Sequence, residues 1–301
     1  MRRITDVIIL LCDSLQSVSV DIEAAFENIK NNIKDEKTEL VLPEVRQIVD
    51  QAGGDISILF KCASLLKVVE EEDYCQEILD TIMDSLPDDE SKQMEVAIAL
   101  RGMGRGEDAY DIITSFKDYE ADPYEVALTL YSIGEYEEAL SVLDESGKDD
   151  QKSMILFTDI YCALGDFAKA TDYADKTMYY YGTSYETLVN KCNVMFRMGK
   201  AKETIKFSKG YLKESKSNND FLALNAYVMR INGRLPAAVN YASRVLKNDH
   251  THIGALETLA MCFAEKKSFI NAKLLAGAIN DAEPGNPAAI RILDACRLLS
   301  T

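Results

Sequence analysis

A six-residue segment that opens on glycine and closes on alanine recurs along this chain, and no other feature limits its possible folds as strongly. Gly134-Glu135-Tyr136-Glu137-Glu138-Ala139 and Gly165-Asp166-Phe167-Ala168-Lys169-Ala170 share one pattern. The same register continues through Gly199 with Thr204, Gly233 with Ala238, and Lys267 in the glycine's place with Ala272. From Gly165 onward the steps are 34, 34 and 34 residues, and upstream Gly104 with Ala109 follows at shorter steps of 31 and 30. A fixed period of this size marks a chain of similar supersecondary units, each too small to bury its own apolar face and therefore stacked on its neighbours.

Each unit reads as a helical hairpin. Glycine ends the first helix, A, because it accepts φ > 0 without a Cβ penalty, and in most units an aromatic or apolar residue two positions on plugs the turn. The alanine lets helix B lie close to helix A. Seven residues before each turn stands a second small side chain: Ala97, Ala127, Thr158, Cys192, Ala226 and Ala260. Helices with small residues at their crossing approach to about 8 Å, the low end of the usual range. Two further columns of helix A supply core at helical spacing, Met154, Leu188, Leu222 and Leu256, then Tyr161, Met195, Met229 and Phe263. Asp122 ahead of Pro123 and Glu125, and Asn286 ahead of Pro287, read as N-caps followed by proline at the first helical position.

With 47% hydrophobic and 28% charged residues the chain can bury a core, and only 6 Pro and 15 Gly leave helix as the dominant local preference. The cysteines, Cys12, Cys62, Cys75, Cys162, Cys192, Cys262 and Cys296, form no C-x-x-C pair and read as reduced core residues. Arg2 and Arg3 precede an apolar run, Val7 to Cys12, that is too short for a signal-peptide core and is flanked by Asp6 and Asp13. No stretch approaches the roughly 20 apolar residues of a membrane span. A soluble, cytoplasmic protein is the expectation. The net charge of −17 speaks against sequence-independent nucleic-acid binding, which needs Lys and Arg to displace phosphate counterions. That charge is unevenly spread, with −23 on residues 1–150 and +6 on residues 151–301.

Helix A, glycine turn, aromatic, alanine and a 34-residue period together resemble the tetratricopeptide repeat family over roughly residues 90–301. The family's proline at the end of helix B survives only as Pro284, with His250 in that slot one repeat earlier; its large aromatic early in helix A is Met or Leu in the later repeats. The resemblance implies an all-α fold, a right-handed superhelical solenoid of antiparallel helix hairpins running through 1–301 as one elongated body. Within it, residues 1–54 are expected as irregular N-terminal helices and 55–89 as a degenerate hairpin, with Ile56 to Val69 and Tyr74 to Leu86 around an acidic turn. Residues 90–285 form the repeats, and 286–301 a capping helix amphipathic through Ile290, Leu293, Cys296 and Leu299.

Hydrolytic and transfer chemistry needs a nucleophile with its base, a carboxylate pair or a metal, and no such constellation stands out. His250 and His252, the only histidines, lie in an expected loop from Asn248 to Ile253, and a surface loop before a helix explains them. The glycines from Gly102 to Gly106 lack the strand that a dinucleotide site requires and read as a hairpin turn. Glu135 to Glu138 follow helical rather than calcium-loop spacing and read as a solvated face. The chain is read as non-enzymatic, with no cofactor and no metal needed.

In the family, the second, fifth, ninth, twelfth and thirteenth places of helix A line a concave groove. Carried over by register, this implies a partner-binding patch of Asn193, Phe196 and Arg197 beside Tyr227 and Arg230. It also implies an apolar N-terminal groove of Met94, Ile98, Tyr124, Leu128 and Tyr131 with Arg101. Tyr and Arg are frequent binding anchors, although Phe196 and Tyr227 serve core packing equally well. The carboxylate clamp of some members is absent by this mapping, since Val189 precedes Asn193 and Asp220 holds the second place of the next repeat. The functional expectation is an interaction module or assembly adaptor that holds a peptide or helix of a protein partner on its concave face. The alternatives are a structural subunit that self-associates head to tail through its oppositely charged halves, and an RNA-binding helical repeat, which the acidic balance disfavours.

Overall fold

The computed structural model describes residues 20–35, 37–117, 120–283 and 286–300. The readings placed on Arg2, Arg3, the run from Val7 to Cys12 and Pro284 fall outside the described residues. Among the described residues the chain is helical throughout and has no strand. The helices are α1 (Val20–Lys34), α2 (Val41–Ala52), α3 (Ile56–Val68), α4 (Glu72–Asp84), α5 (Glu90–Gly102), α6 (Gly106–Thr114), α7 (Pro123–Ile133), α8 (Tyr136–Ser146) and α9 (Gln151–Ala163). They continue as α10 (Phe167–Tyr181), α11 (Tyr185–Arg197), α12 (Ala201–Glu214), α13 (Asn219–Ile231), α14 (Leu235–Asn248), α15 (Ile253–Glu265), α16 (Phe269–Ala282) and α17 (Pro287–Ser300). They gather into two compact units, one made of the residues up to Gly104 together with Phe263–Thr301, the other of Arg105–Cys262.

The two helices of most hairpins start differently, and the sequence says why. A helices follow loops and carry side-chain caps: Asp55, Asp89, Asp122, Asp150, Ser184 and Asn218 each accept a bond from the first turn of α3, α5, α7, α9, α11 and α13. B helices enter directly from the tight turn, and Glu71, Glu135, Lys200, Arg234 and Ser268 cap theirs without a side-chain bond, Asp166 at α10 being the exception with a bond from Lys169 N–H at 3.1 Å.

The turns repeat one hydrogen-bond signature. Glu135, Asp166, Lys200 and Arg234 each donate their N–H to the carbonyl five residues back, on Leu130, Tyr161, Met195 and Met229, at 3.0, 2.9, 3.0 and 2.8 Å. This is the six-to-one bond of a Schellman ending, which demands a left-handed residue just before the donor. Gly134, Gly165, Gly199 and Gly233 supply it with φ of 91°, 77°, 78° and 71°. Where glycine is missing the conformation persists: Lys267 adopts φ 58° and Glu70 φ 66°, with Ser268 and Glu71 making the same bond to Phe263 and Leu66. The alanine, threonine and cysteine columns at the crossings, Ala97, Ala127, Thr158, Cys192, Ala226 and Ala260, are all fully buried, as are Ala109, Ala139, Ala170, Thr204, Ala238 and Ala272 after the turns.

In the unit formed by both ends of the chain, α16 packs against α3 as well as against α17, and α17 also meets α5. Lys273 of α16 pairs with Glu70 at 3.5 Å. Arg101, expected on a groove lining, is only 2% exposed and Met94 is buried. On α17, Ile292 and Cys296 are buried, whereas Leu299, expected on the same apolar face, is 39% exposed.

In the unit from Arg105 to Cys262, each A helix packs on the next: α7 on α9, α9 on α11, α11 on α13. Its core includes a stack of Phe157, Tyr161 and Tyr173, with Phe157 and Tyr173 centroids 4.7 Å apart. Hairpins and turns recur at the period read from the sequence.

Candidate protein-binding face

Ser184 caps α11 reciprocally: its Oγ accepts from Thr187 N–H at 3.3 Å, and Thr187 Oγ1 accepts from Ser184 N–H at 3.0 Å. That box fixes Tyr185 as the first helical residue. There it is only 8% exposed. Its ring meets the His252 imidazole edge-on, with centroids 5.1 Å apart and planes at 84°. It also lies directly over Gly254 of α15, where a Cβ would sit 2.0 Å from the ring's Cε1. Burial pushes the Tyr185 phenol well above its ordinary range, helped by Glu257 and Tyr227 and opposed by the neighbouring Thr258 and by Arg230. The hydroxyl therefore stays protonated.

His252 is tied down at both nitrogens. Its Nδ1 accepts from Ala255 N–H at 3.3 Å, capping α15, and its Nε2 lies 3.3 Å from Asp220 Oδ1. Because the cap needs a bare Nδ1, the neutral ring carries its proton on Nε2 and donates it to Asp220. Arg230 stands over the Tyr227 ring, 5.6 Å from its centroid. Helices α11, α13 and α15 thus contribute to one cluster.

The residues singled out from sequence have these neighbours. Asn193 Nδ2 donates to Asp159 Oδ1 of α9 at 3.3 Å. Arg197, exposed, acts with Asp159 on the Cys162 thiol, which burial pushes up to about 11. Phe196 beside them is half-buried. Tyr227 and Arg230, on α13, act electrostatically on Tyr185 at the start of α11. On α7, Leu128 is buried in the aromatic core, Tyr124 and Tyr131 pack against that core, and the Tyr131 and Tyr136 rings lie 5.5 Å apart. Tyr185, His252 and Gly254 escaped sequence reasoning. One signal was available, since a glycine in the first turn of a helix forfeits about 1 kcal/mol of helix propensity and invites a search for a close neighbour.

Among the described residues, no cluster of His, Cys, Asp or Glu is arranged to hold a metal ion, and no helix is long and apolar enough to cross a membrane. No family model matches the chain and no curated protein matches it. It is similar to solved structures of helical-repeat proteins. A tetratricopeptide repeat protein from Parabacteroides merdae is 14% identical, covers 88% of this chain and 100% of its own, and superposes with a TM-score of 0.45. The tetratricopeptide domain of P58(IPK) is 12% identical over 93% of this chain and 98% of its own, at 0.32. YrrB, described as a tetratricopeptide protein with an unusual peptide-binding site, is 18% identical over 57% of this chain and 91% of its own, at 0.31.

Proposed function

We propose that this protein is a non-catalytic binding module, an assembly adaptor that seats a short segment of a partner protein against helices α9 and α11. One observation carries the reading. Asp159, Asn193 and Arg197 bring an acceptor, an amide and a guanidinium to two adjacent A helices, with the half-buried Phe196 next to Arg197 in the chain. An apolar anchor ringed by hydrogen-bonding groups is the usual make-up of a binding hot spot. Arg197 suits a carboxylate or a peptide carbonyl, and the Asp159–Asn193 pair suits backbone amides.

Tyr185 limits what can lie there. With its ring closed down on Gly254, a peptide running the full length of the A helices would have to cross an occupied stretch. A helix, or a short extended segment ending near α11, fits the remaining face better. Capture from native lysate by the full chain and by a Phe196→Ala/Arg197→Ala variant tests this. A partner retained by the parent and lost by an equally stable variant supports the reading, and identical capture by both removes this face from it.

A further inference from the structure

The last turn of α10 exposes aromatic surface that the fold does not use. Tyr179 is 83% and Tyr180 65% exposed, and their rings meet edge-on with centroids 5.1 Å apart. Tyr181 next to them is anchored, its hydroxyl donating to the Asp149 carbonyl at 2.5 Å, and Gly182 then ends the helix with φ 77°. The pair is therefore held at a fixed place beside the loop before α9. As α10 is a B helix, it does not belong to the face formed by α9 and α11.

The surroundings select the chemistry of a ligand. The loop beside Tyr181 carries Asp149 and Asp150, both exposed, and Asp144 and Glu145 at the end of α8 are exposed as well. Nearby, Lys176 is committed to Asp172 at 2.7 Å, and Lys148 to Asp122 at 2.7 Å. The C-terminus of α10 adds the partial negative charge of its free carbonyls. Elsewhere in this chain such rings are covered by cations: Lys169 over Tyr161, Lys176 over Tyr173, Arg230 over Tyr227 and Arg244 over Tyr241 lie 4.9 to 5.9 Å from the centroids. Among the described residues no Lys or Arg stands over the ring of Tyr179 or Tyr180, and only the charge of Lys176, already paired with Asp172, is felt at Tyr180.

We infer that Tyr179 and Tyr180, with the acidic loop at Asp149 and Asp150, form a second docking surface that takes an arginine-bearing basic segment of a partner protein. Guanidinium is favoured over ammonium because it stacks flat on a tyrosine ring and is more weakly hydrated, while still pairing with the carboxylates. With one surface on the A-helix side and another at the end of a B helix, the protein is able to bridge two partners.

The experiment measures binding of the full chain to a labelled, alternating Arg-Gly peptide and to its Lys-Gly counterpart, by fluorescence anisotropy. The Tyr179→Ser/Tyr180→Ser variant keeps the net charge and removes only exposed rings, so its melting should match the parent's. The expected result is tighter binding of the arginine peptide than of the lysine peptide by the parent, and about tenfold weaker binding of the arginine peptide by the variant. Equal binding by parent and variant would overturn the inference, leaving only attraction to an acidic chain. So would self-association of the parent in light scattering that the variant lacks, which would make a second copy the occupant. Adsorption of the parent, but not the variant, to neutral phosphatidylcholine vesicles without peptide discrimination would overturn it in favour of a lipid surface.

Discussion

Tyr185 and Gly254, two A helices apart, fit together so closely that a single methyl group on Gly254 would fall 2.0 Å from Cε1 of the tyrosine. The ring is fixed from the other side by His252, so it has little room to retreat.

Gly254→Ala should therefore cost about 1 to 3 kcal/mol through overpacking, even though alanine is the better helix former. Tyr185→Ala costs stability by removing a buried ring. In the double variant the methyl group meets no ring, so the two losses should be strongly non-additive. Denaturant melts of the four proteins measure the coupling, and simple additivity would show that the two residues do not meet.

Lys267 and Gly233 make a paired test of the turns. Lys267 holds φ 58° where the other repeats use glycine, and Lys267→Gly should stabilise the protein by about 1 kcal/mol. Gly233→Ala should lose a similar amount, and for a purely backbone reason, since nothing lies within 4 Å of a Cβ placed there. Thermal unfolding reads both, and the shifts should have opposite signs.

Ala238→Leu should separate helices α13 and α14. Ala238 is fully buried against Met229 and Cys262, and extra volume there costs about 1 to 3 kcal/mol. An unchanged midpoint would mean that the hairpin crossing does not pass through this residue.

The buried thiols predict a loss of stability in alkali. Burial pushes Cys62 and Cys192 up to about 12. In the unfolded chain a thiol ionises near ~8.5. Between those values the unfolded state loses the proton and the folded state keeps it, so rising pH favours unfolding, by up to ~1.4 kcal/mol per pH unit for each thiol. Stability measured from pH 8 to 10 should fall less steeply in Cys62→Ala/Cys192→Ala. In a Cys12→Ser background, thiol reagents should label the remaining cysteines of the parent only as it unfolds.

Local chemistry written in every repeat was legible without coordinates. The turn at Gly165, the cap at Asp122 and the small residues at Cys192 and Ala226 depend on neighbours a few positions away. Helix periodicity or φ preference fixes each of them. Even Lys267 obeyed the register against its own preference, because the hairpin on both sides of it holds the turn. The resemblance by register put Asn193 and Tyr227 on one side of the hairpins, and tertiary packing gave each a neighbour on another helix, Asp159 for Asn193 and Tyr185 for Tyr227. Which neighbour a side chain gains depends on the rotation from each hairpin to the next, a small angle that sums over repeats and leaves no periodic mark in the sequence. The same holds for Tyr185 on Gly254, and for α16 resting on α3 with Lys273 paired to Glu70. Those contacts join residues far apart in the chain, so periodicity set the hairpins and only their stacking decided which side chains meet.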